Sequence, residues 1–205
     1  MKFLPVAIFY AVSTTAATAQ VVEVRAGIGV HDLRVISDQS VRERSVVFNG
    51  EVLFNEPQFL KWAFSPQPYI GWQLNLDGHT SYGGAGLVWR QGFGKWFYGD
   101  VAVGFVIHDG TLEIGSLPPI DREGLSQEEL GALFRERIAL SNNLFENNIE
   151  YGSRVLIREQ LTLGFRVNES WAVEGYFEHV SHGNFWTNAE NDGSDSAGFR
   201  VNRRF

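Results

Sequence analysis

From Val22 onward, apolar and polar side chains alternate in twos instead of recurring every three or four positions. Val22, Val24, Ala26, Ile28 and Val30 share one parity, and Glu23, Arg25, Gly27, Gly29 and His31 share the other. The same period returns near residues 45–54, in Ile70, Trp72, Leu74 and Leu76, and near residues 81–91. It continues in Phe97, Val101, Val103, Phe105 and Ile107, and in Val155, Ile157, Leu161, Leu163, Phe165 and Val167. It ends with Trp171, Val173, Gly175 and Phe177, then Ala197, Phe199, Val201 and Phe205. A side-chain period of two belongs to β-strands with unlike faces. The pattern predicts an all-β chain of eight antiparallel strands, each about ten residues long.

Alternation alone does not separate a soluble sandwich from a membrane barrel. Three features favour the barrel. The strands match the ~9–11 residues that cross a bilayer when tilted. Trp62, Trp72, Trp89, Trp96 and Trp171 lie near strand ends, where interfacial girdles form. The last strand ends on Phe205, which resembles the C-terminal sorting signal of outer-membrane barrel proteins.

With the first strand rising from the periplasm, the outer connections are 32–44, 77–80, 109–152 and 182–194. The periplasmic ones are 55–68, 92–95 and 168–170. The longest loops then face outward, as such barrels require. The 55–68 connection carries Phe59, Leu60, Trp62 and Phe64 and is expected at the interface. Within 109–152, Ser126-Gln127-Glu128-Glu129 reads as a capping box opening a short helix through Leu130, Leu133 and Phe134. A loop this long is expected to be functional or to form a lid.

Composition changes the picture in three ways. The 205 residues carry 17 Lys and Arg against 24 Asp and Glu, a formal charge of −7 that argues against a nucleic-acid partner. The mean hydropathy of −0.13 suggests a soluble domain until it is split by strand face. It is then the average of an apolar exterior and a charged, Gly-rich interior. The absence of Cys excludes disulfides and thiolate metal sites, and makes any nucleophile a hydroxyl. Met1-Lys2, the apolar stretch from Phe3 to Val12 and Ala17-Thr18-Ala19 read as a cleaved signal peptide over 1–19, leaving one barrel domain over 20–205. No His, Asp and Glu set has ligand spacing, so neither a metal nor another cofactor is expected.

Parity also finds a candidate site. If Val173 and Phe177 face lipid, so do His179 and Ser181. Counting back from Phe199 and Ala197 puts Asp195 on the same face. Residues i and i+2 of a strand share a face ~6.6–7 Å apart, so an imidazole can reach the hydroxyl two residues on. A Ser, a His and an acid together suit attack on a carbonyl. Asp192 is a second candidate for the acid. Glu178 has the opposite parity and is expected inside, paired with Arg158 or Arg166.

The run Phe177-Glu178-His179-Val180-Ser181-His182-Gly183-Asn184, followed by Asn191-Asp192-Gly193-Ser194-Asp195, resembles the C-terminal signature of the lipid A 3-O-deacylase family, the acyloxyacyl hydrolases. That family has an H-x-S-N motif and then an N-D/P-G segment followed by an acid. The resemblance implies Ser181 as nucleophile, His179 as base and Asp195 as orienting acid on the barrel exterior. It implies oxyanion or support roles for Asn191 and His182, and acyl-chain contact by Phe177, Val173 and Phe199. His182 stands where Asn is usual, and Asp195 where the best-known members carry Glu. The resemblance implies an outer-membrane esterase that releases the 3-hydroxyacyl chain from the 3-position of lipid A, with lipopolysaccharide as substrate. A homodimer is left open. The alternative is a non-catalytic eight-stranded barrel for adhesion or envelope structure.

Overall fold

The computed structural model describes residues 19–37, 41–114 and 121–205. Residues 1–18 of the expected signal peptide lie outside the described residues. Eight strands follow one another: β1 (Val21–Leu33), β2 (Ser45–Phe54), β3 (Gln67–Asn75), β4 (Tyr82–Phe93), β5 (Phe97–His108), β6 (Val155–Arg166), β7 (Trp171–Ser181) and β8 (Ser194–Arg204). Each pairs antiparallel with the next, and β8 pairs with β1, closing the barrel. The eight-stranded transmembrane barrel read from the alternation is therefore the architecture found. Closure leaves no unpaired edge, which a strand facing lipid could not tolerate.

The two parities separate as expected. Along β5, Phe97, Val101, Val103, Phe105 and Ile107 are exposed, while Tyr98, Asp100, Ala102, Val106 and His108 are buried in the lumen. An eight-stranded lumen is just wide enough for side chains to fill it. Here the filling is ionic. Arg25, Arg158 and Arg200 are fully buried. Arg158 Nη2 donates to Glu51 at 2.7 Å and to Glu178 at 2.5 Å. Arg200 donates to Glu174 at 2.5 Å, and Arg25 to Glu51 at 3.0 Å and to Asp100. Each of these buried arginines has carboxylate partners, as removal from water demands. Glu178 thus points inward and pairs with Arg158; Arg166 instead lies over the Tyr98 ring.

The inner end has short turns and exposed aromatic side chains. Trp96, Phe97 and Trp171 surround it, and a 3-10 turn at Gln58–Ala63 presents Phe59, Trp62 and Phe64. The opposite end carries the long connections. Helix α1 (Gln127–Asn147) begins at the expected capping box, with Glu129 N–H donating to the Ser126 side chain. It runs longer than Leu130 and Phe134 predicted, and none of its residues is buried. It is therefore not packed on the barrel.

The following stretch does enter the mouth. Ile149 and Tyr151 pack with Tyr82, Val106, Leu156 and Val180. Glu43, just before β2, accepts from the backbone N–H of Ile149 at 2.9 Å and of Thr80 at 3.1 Å. Burial acts to raise its carboxyl, but the nearby His31 ring, 3.6 Å away, and hydrogen bonds from Ile149 and Thr80 outweigh it and hold the group below the ordinary Glu range. A lowered folded value stabilises above the unfolded one and is lost as the pH falls through it. At neutral pH, Glu43→Ala should leave the barrel closed but speed cleavage of the 109–154 connection by added protease. An unchanged cleavage rate would count against this clamp.

Candidate active site

The site begins with a bulge. Between His31 and Leu33, β1 shifts register against β8, so that Asp32 is an extra residue with φ of 57°. Asp is among the few residues that tolerate this left-handed conformation. Its carboxylate then accepts from the backbone N–H of Arg42 at 2.5 Å and of Glu43 at 2.7 Å, pinning the returning loop. The displaced chain beyond Leu33 crosses the start of β8. There the backbone N–H groups of Val35, Ile36 and Ser37 all donate to Asp195 Oδ2, at 2.8, 2.7 and 3.0 Å.

Asp195 lies on the outward parity of β8 and yet is fully buried, because this loop covers it. Three backbone donors replace the water that a carboxylate loses on burial. Its other oxygen faces the neighbouring strand. Asp195 and His179 are register partners, and Asp195 Oδ1 is 2.7 Å from His179 Nδ1. A carboxylate only accepts, so this contact assigns the proton to Nδ1 and leaves Nε2 with a free lone pair.

Ser181 ends β7 on the same face as His179, and both are half-buried. No hydrogen bond joins Ser181 to His179 among the described residues. Catalytic hydrogen bonds are often long before substrate binds. Both side chains meet the same small space. A Cβ added to Gly193, at φ of 60°, would lie 3.1 Å from His179 Cε1 and 3.3 Å from Ser181 Cβ. Gly193 thus lets the returning chain pass directly over the pair. Gly193→Ala should force a left-handed conformation costing ~1–2 kcal/mol and wedge a methyl against the imidazole. A small displacement of a reacting group can cost about a hundredfold in rate. The expected outcome is at least a tenfold loss of any activity that uses this pair, with the shifted gel mobility of a folded barrel retained.

Asn191 Oδ1 accepts from the backbone N–H of His182, the residue after Ser181, at 3.1 Å. Its side-chain amide nitrogen has no partner among the described residues and can donate. His182 is fully buried. Its Nδ1 accepts from Asn184 N–H at 3.1 Å, and its Nε2 lies 3.2 Å from the Glu190 carbonyl. With both ring nitrogens engaged in the 183–190 loop, His182 braces that loop and does not face Ser181. Asp192 is turned away. Its carboxylate accepts from Arg42 at 2.6 Å and from Glu150 N–H at 3.0 Å, so it does not compete with Asp195 for His179.

Below this cluster, beginning one pleat down at Phe177, Leu161 and Ala197, a mostly apolar groove lies on the outside of the barrel, lined also by Leu163, Gly175 and Phe199. Phe177 and Phe199 are thus at its wall. Val173 lies lower on the same outward face. Gly175 forms its floor, with Phe199 the nearest side chain.

Two features escaped the reading of alternation. The backbone donors of residues 35–37 have no signature, since any residue supplies an N–H. Glu159 did have one: it is an acid on the otherwise apolar parity of β6, exposed and directly opposite His179.

A family model described as Lipid A 3-O-deacylase (PagL) matches residues 48–204 of this chain. Among solved structures, the chain is similar to the outer membrane enzyme PagL, with a TM-score of 0.52 and 11% identity over 89% of this chain and 99% of that one. It is also similar to Neisserial surface protein A, with a TM-score of 0.52 and 7% identity over 91% of this chain and 99% of that one. At these identities the two structures speak for the fold alone. No curated protein matches the sequence.

Proposed function

The chain belongs to the lipid A 3-O-deacylase family, and on that premise we propose that Ser181, His179 and Asp195 act together to release the 3-hydroxyacyl chain from the 3-position of lipid A. The observation that carries this reading is the 2.7 Å contact between His179 Nδ1 and Asp195 Oδ1, with Ser181 on the same outward face.

The steps follow from those positions. Ser181 Oγ attacks the ester carbonyl carbon while His179 Nε2 takes its proton. The buried carboxylate of Asp195 holds the ring in the Nδ1–H tautomer and stabilises the imidazolium. The side-chain amide nitrogen of Asn191 donates to the oxyanion, its orientation set by the bond from His182 N–H to its oxygen. Collapse breaks the bond to the sugar oxygen, which takes the proton from His179. Water, deprotonated by the same imidazole, then attacks the acyl-Ser181 carbonyl. The free hydroxy acid leaves and Ser181 recovers its proton.

The location suits the substrate. The long connections put this end of the barrel at the outer leaflet, where lipid A lies. Phe177, Phe199 and Val173 line the path that the acyl chain takes into the membrane. His182 supports the site by holding the loop.

The test is the mass of lipid A from a Gram-negative host expressing the chain. Expression of the unaltered protein should lower that mass by one hydroxyacyl group, and His179→Ala should abolish the change. Lipid A of unaltered mass in both would sink the reading and leave the non-catalytic barrel.

A further inference from the structure

The outward face of the eight strands carries charged or titratable side chains at Glu159, His179, Asp195 and Arg203. Arg203 is at the inner end, over the rings of Trp171 and Phe205. The other three form one row across β6, β7 and β8. Glu159 is the register partner of His179, and His179 that of Asp195.

The two acids flanking His179 are not equivalent. Asp195 is buried and fully satisfied. Glu159 is exposed, its neighbour across β5 is Val103, and neither a hydrogen bond nor an ion pair reaches its carboxylate among the described residues. A carboxylate on a lipid-facing wall is costly, and it contributes nothing to closing this barrel. Its place beside the reacting pair calls for a ligand that donates a hydrogen bond.

We propose that Glu159 binds the 3-hydroxyl of the departing acyl chain and thereby selects hydroxyacyl esters over plain acyl esters. The inference rests on the reading of Ser181 as nucleophile. With the ester carbonyl at Ser181 Oγ, the chain descends along Phe177, Leu161 and Ala197 toward Gly175. The level of His179 and Glu159 is one pleat below Ser181, ~6.6–7 Å along the strand. Ser181 pairs with Ile157, so Glu159 is its diagonal neighbour, with Cβ atoms ~7–8 Å apart or somewhat less. A Glu side chain spans much of that gap. The hydroxyl, on the carbon two bonds beyond the carbonyl carbon, falls inside it.

Below this level the groove wall is mostly apolar, and the polar lining residues Arg90, Gln91, Asp100 and Thr162 lie on β4, β5 and the inward parity of β6, away from the height of the hydroxyl. His179 is held by Asp195 at Nδ1 and, on the proposed reading, uses Nε2 for the Ser181 proton. Glu159 is therefore the acceptor at the height of the hydroxyl, and an O–H donating to a carboxylate makes a charge-assisted bond. A plain chain satisfies nothing there and leaves the carboxylate desolvated. Sites built to bond a substrate hydroxyl reject analogues lacking it for this reason.

The experiment uses the full chain refolded in detergent. Two lipid A substrates carry chains of equal length at the 3-position, one 3-hydroxylated and one plain, and released acid is measured by mass spectrometry. The unaltered protein should favour the hydroxylated ester by roughly tenfold or more, as expected for a hydrogen bond to a charged group. Glu159→Ala should collapse that ratio toward one, mainly by slowing release of the hydroxylated chain. Glu159→Gln keeps a neutral acceptor and should fall between. A ratio in Glu159→Ala equal to that of the unaltered protein overturns the proposal, and so does an equal loss on both esters. Release of neither chain by the unaltered protein overturns the deacylase reading itself, which separates the two failures.

Discussion

Replacing Ser181 by Ala is expected to cut release of the hydroxyacyl chain by at least about a thousandfold. The chain has no Cys to replace a lost hydroxyl, and His179 can then activate only water. Some turnover should remain, because Asn191 and the groove still bind the ester and its oxyanion. Stability should hardly change, since Ser181 ends β7, is half-buried and makes no side-chain hydrogen bond among the described residues. The measurement is lipid A mass after expression, with gel mobility as the control for folding. Equal deacylation by Ser181→Ala would remove Ser181 from the nucleophile's role.

Asp195→Asn should cost a comparable amount, roughly ten-thousandfold, with the backbone almost unmoved. The loop holds the side chain from both directions. The N–H groups of Val35, Ile36 and Ser37 require an acceptor, so the amide oxygen of the variant must occupy the place of Oδ2. Its NH2 group then faces His179 Nδ1 and donates to it. The ring proton moves to Nε2, and the base loses the lone pair that Ser181 needs. Asp195→Glu should also fail, because a longer side chain does not fit between the loop and the imidazole. If Asp195→Asn retained full kcat, Asp195 would be a loop anchor and nothing more. Asp192→Asn makes the contrast. It weakens the contact with Arg42, which does not touch His179, and should lower stability more than turnover.

What alternation could reveal, it revealed in detail. Strand order, strand ends and the inward turn of Glu178 all follow from a period of two, because a one-residue slip would put every charge in the lumen against lipid. The capping box marked the start of α1, a local bond between neighbours in sequence. The end of α1 was not legible. Its apolar residues bury nothing, so no packing partner limits the pattern.

The candidate site divides along the same line. The sequence by itself determined that Ser181 and His179 share a face, since two residues on one strand need no folding information beyond parity. It also put an acid of like parity at Asp195. Choosing Asp195 over Asp192 needed the register of β7 against β8, which pairs His179 with Asp195, and the Arg42 partner of Asp192, 150 positions away in the chain. Only the tertiary structure brought residues 35–37 over Asp195, through a bulge at Asp32. It alone turned His182 into the loop and stood Glu159 against His179. Backbone donors carry no residue code, and cross-strand neighbours depend on closure of the barrel. Both are properties of chain segments meeting in space, which no periodicity along one strand can record.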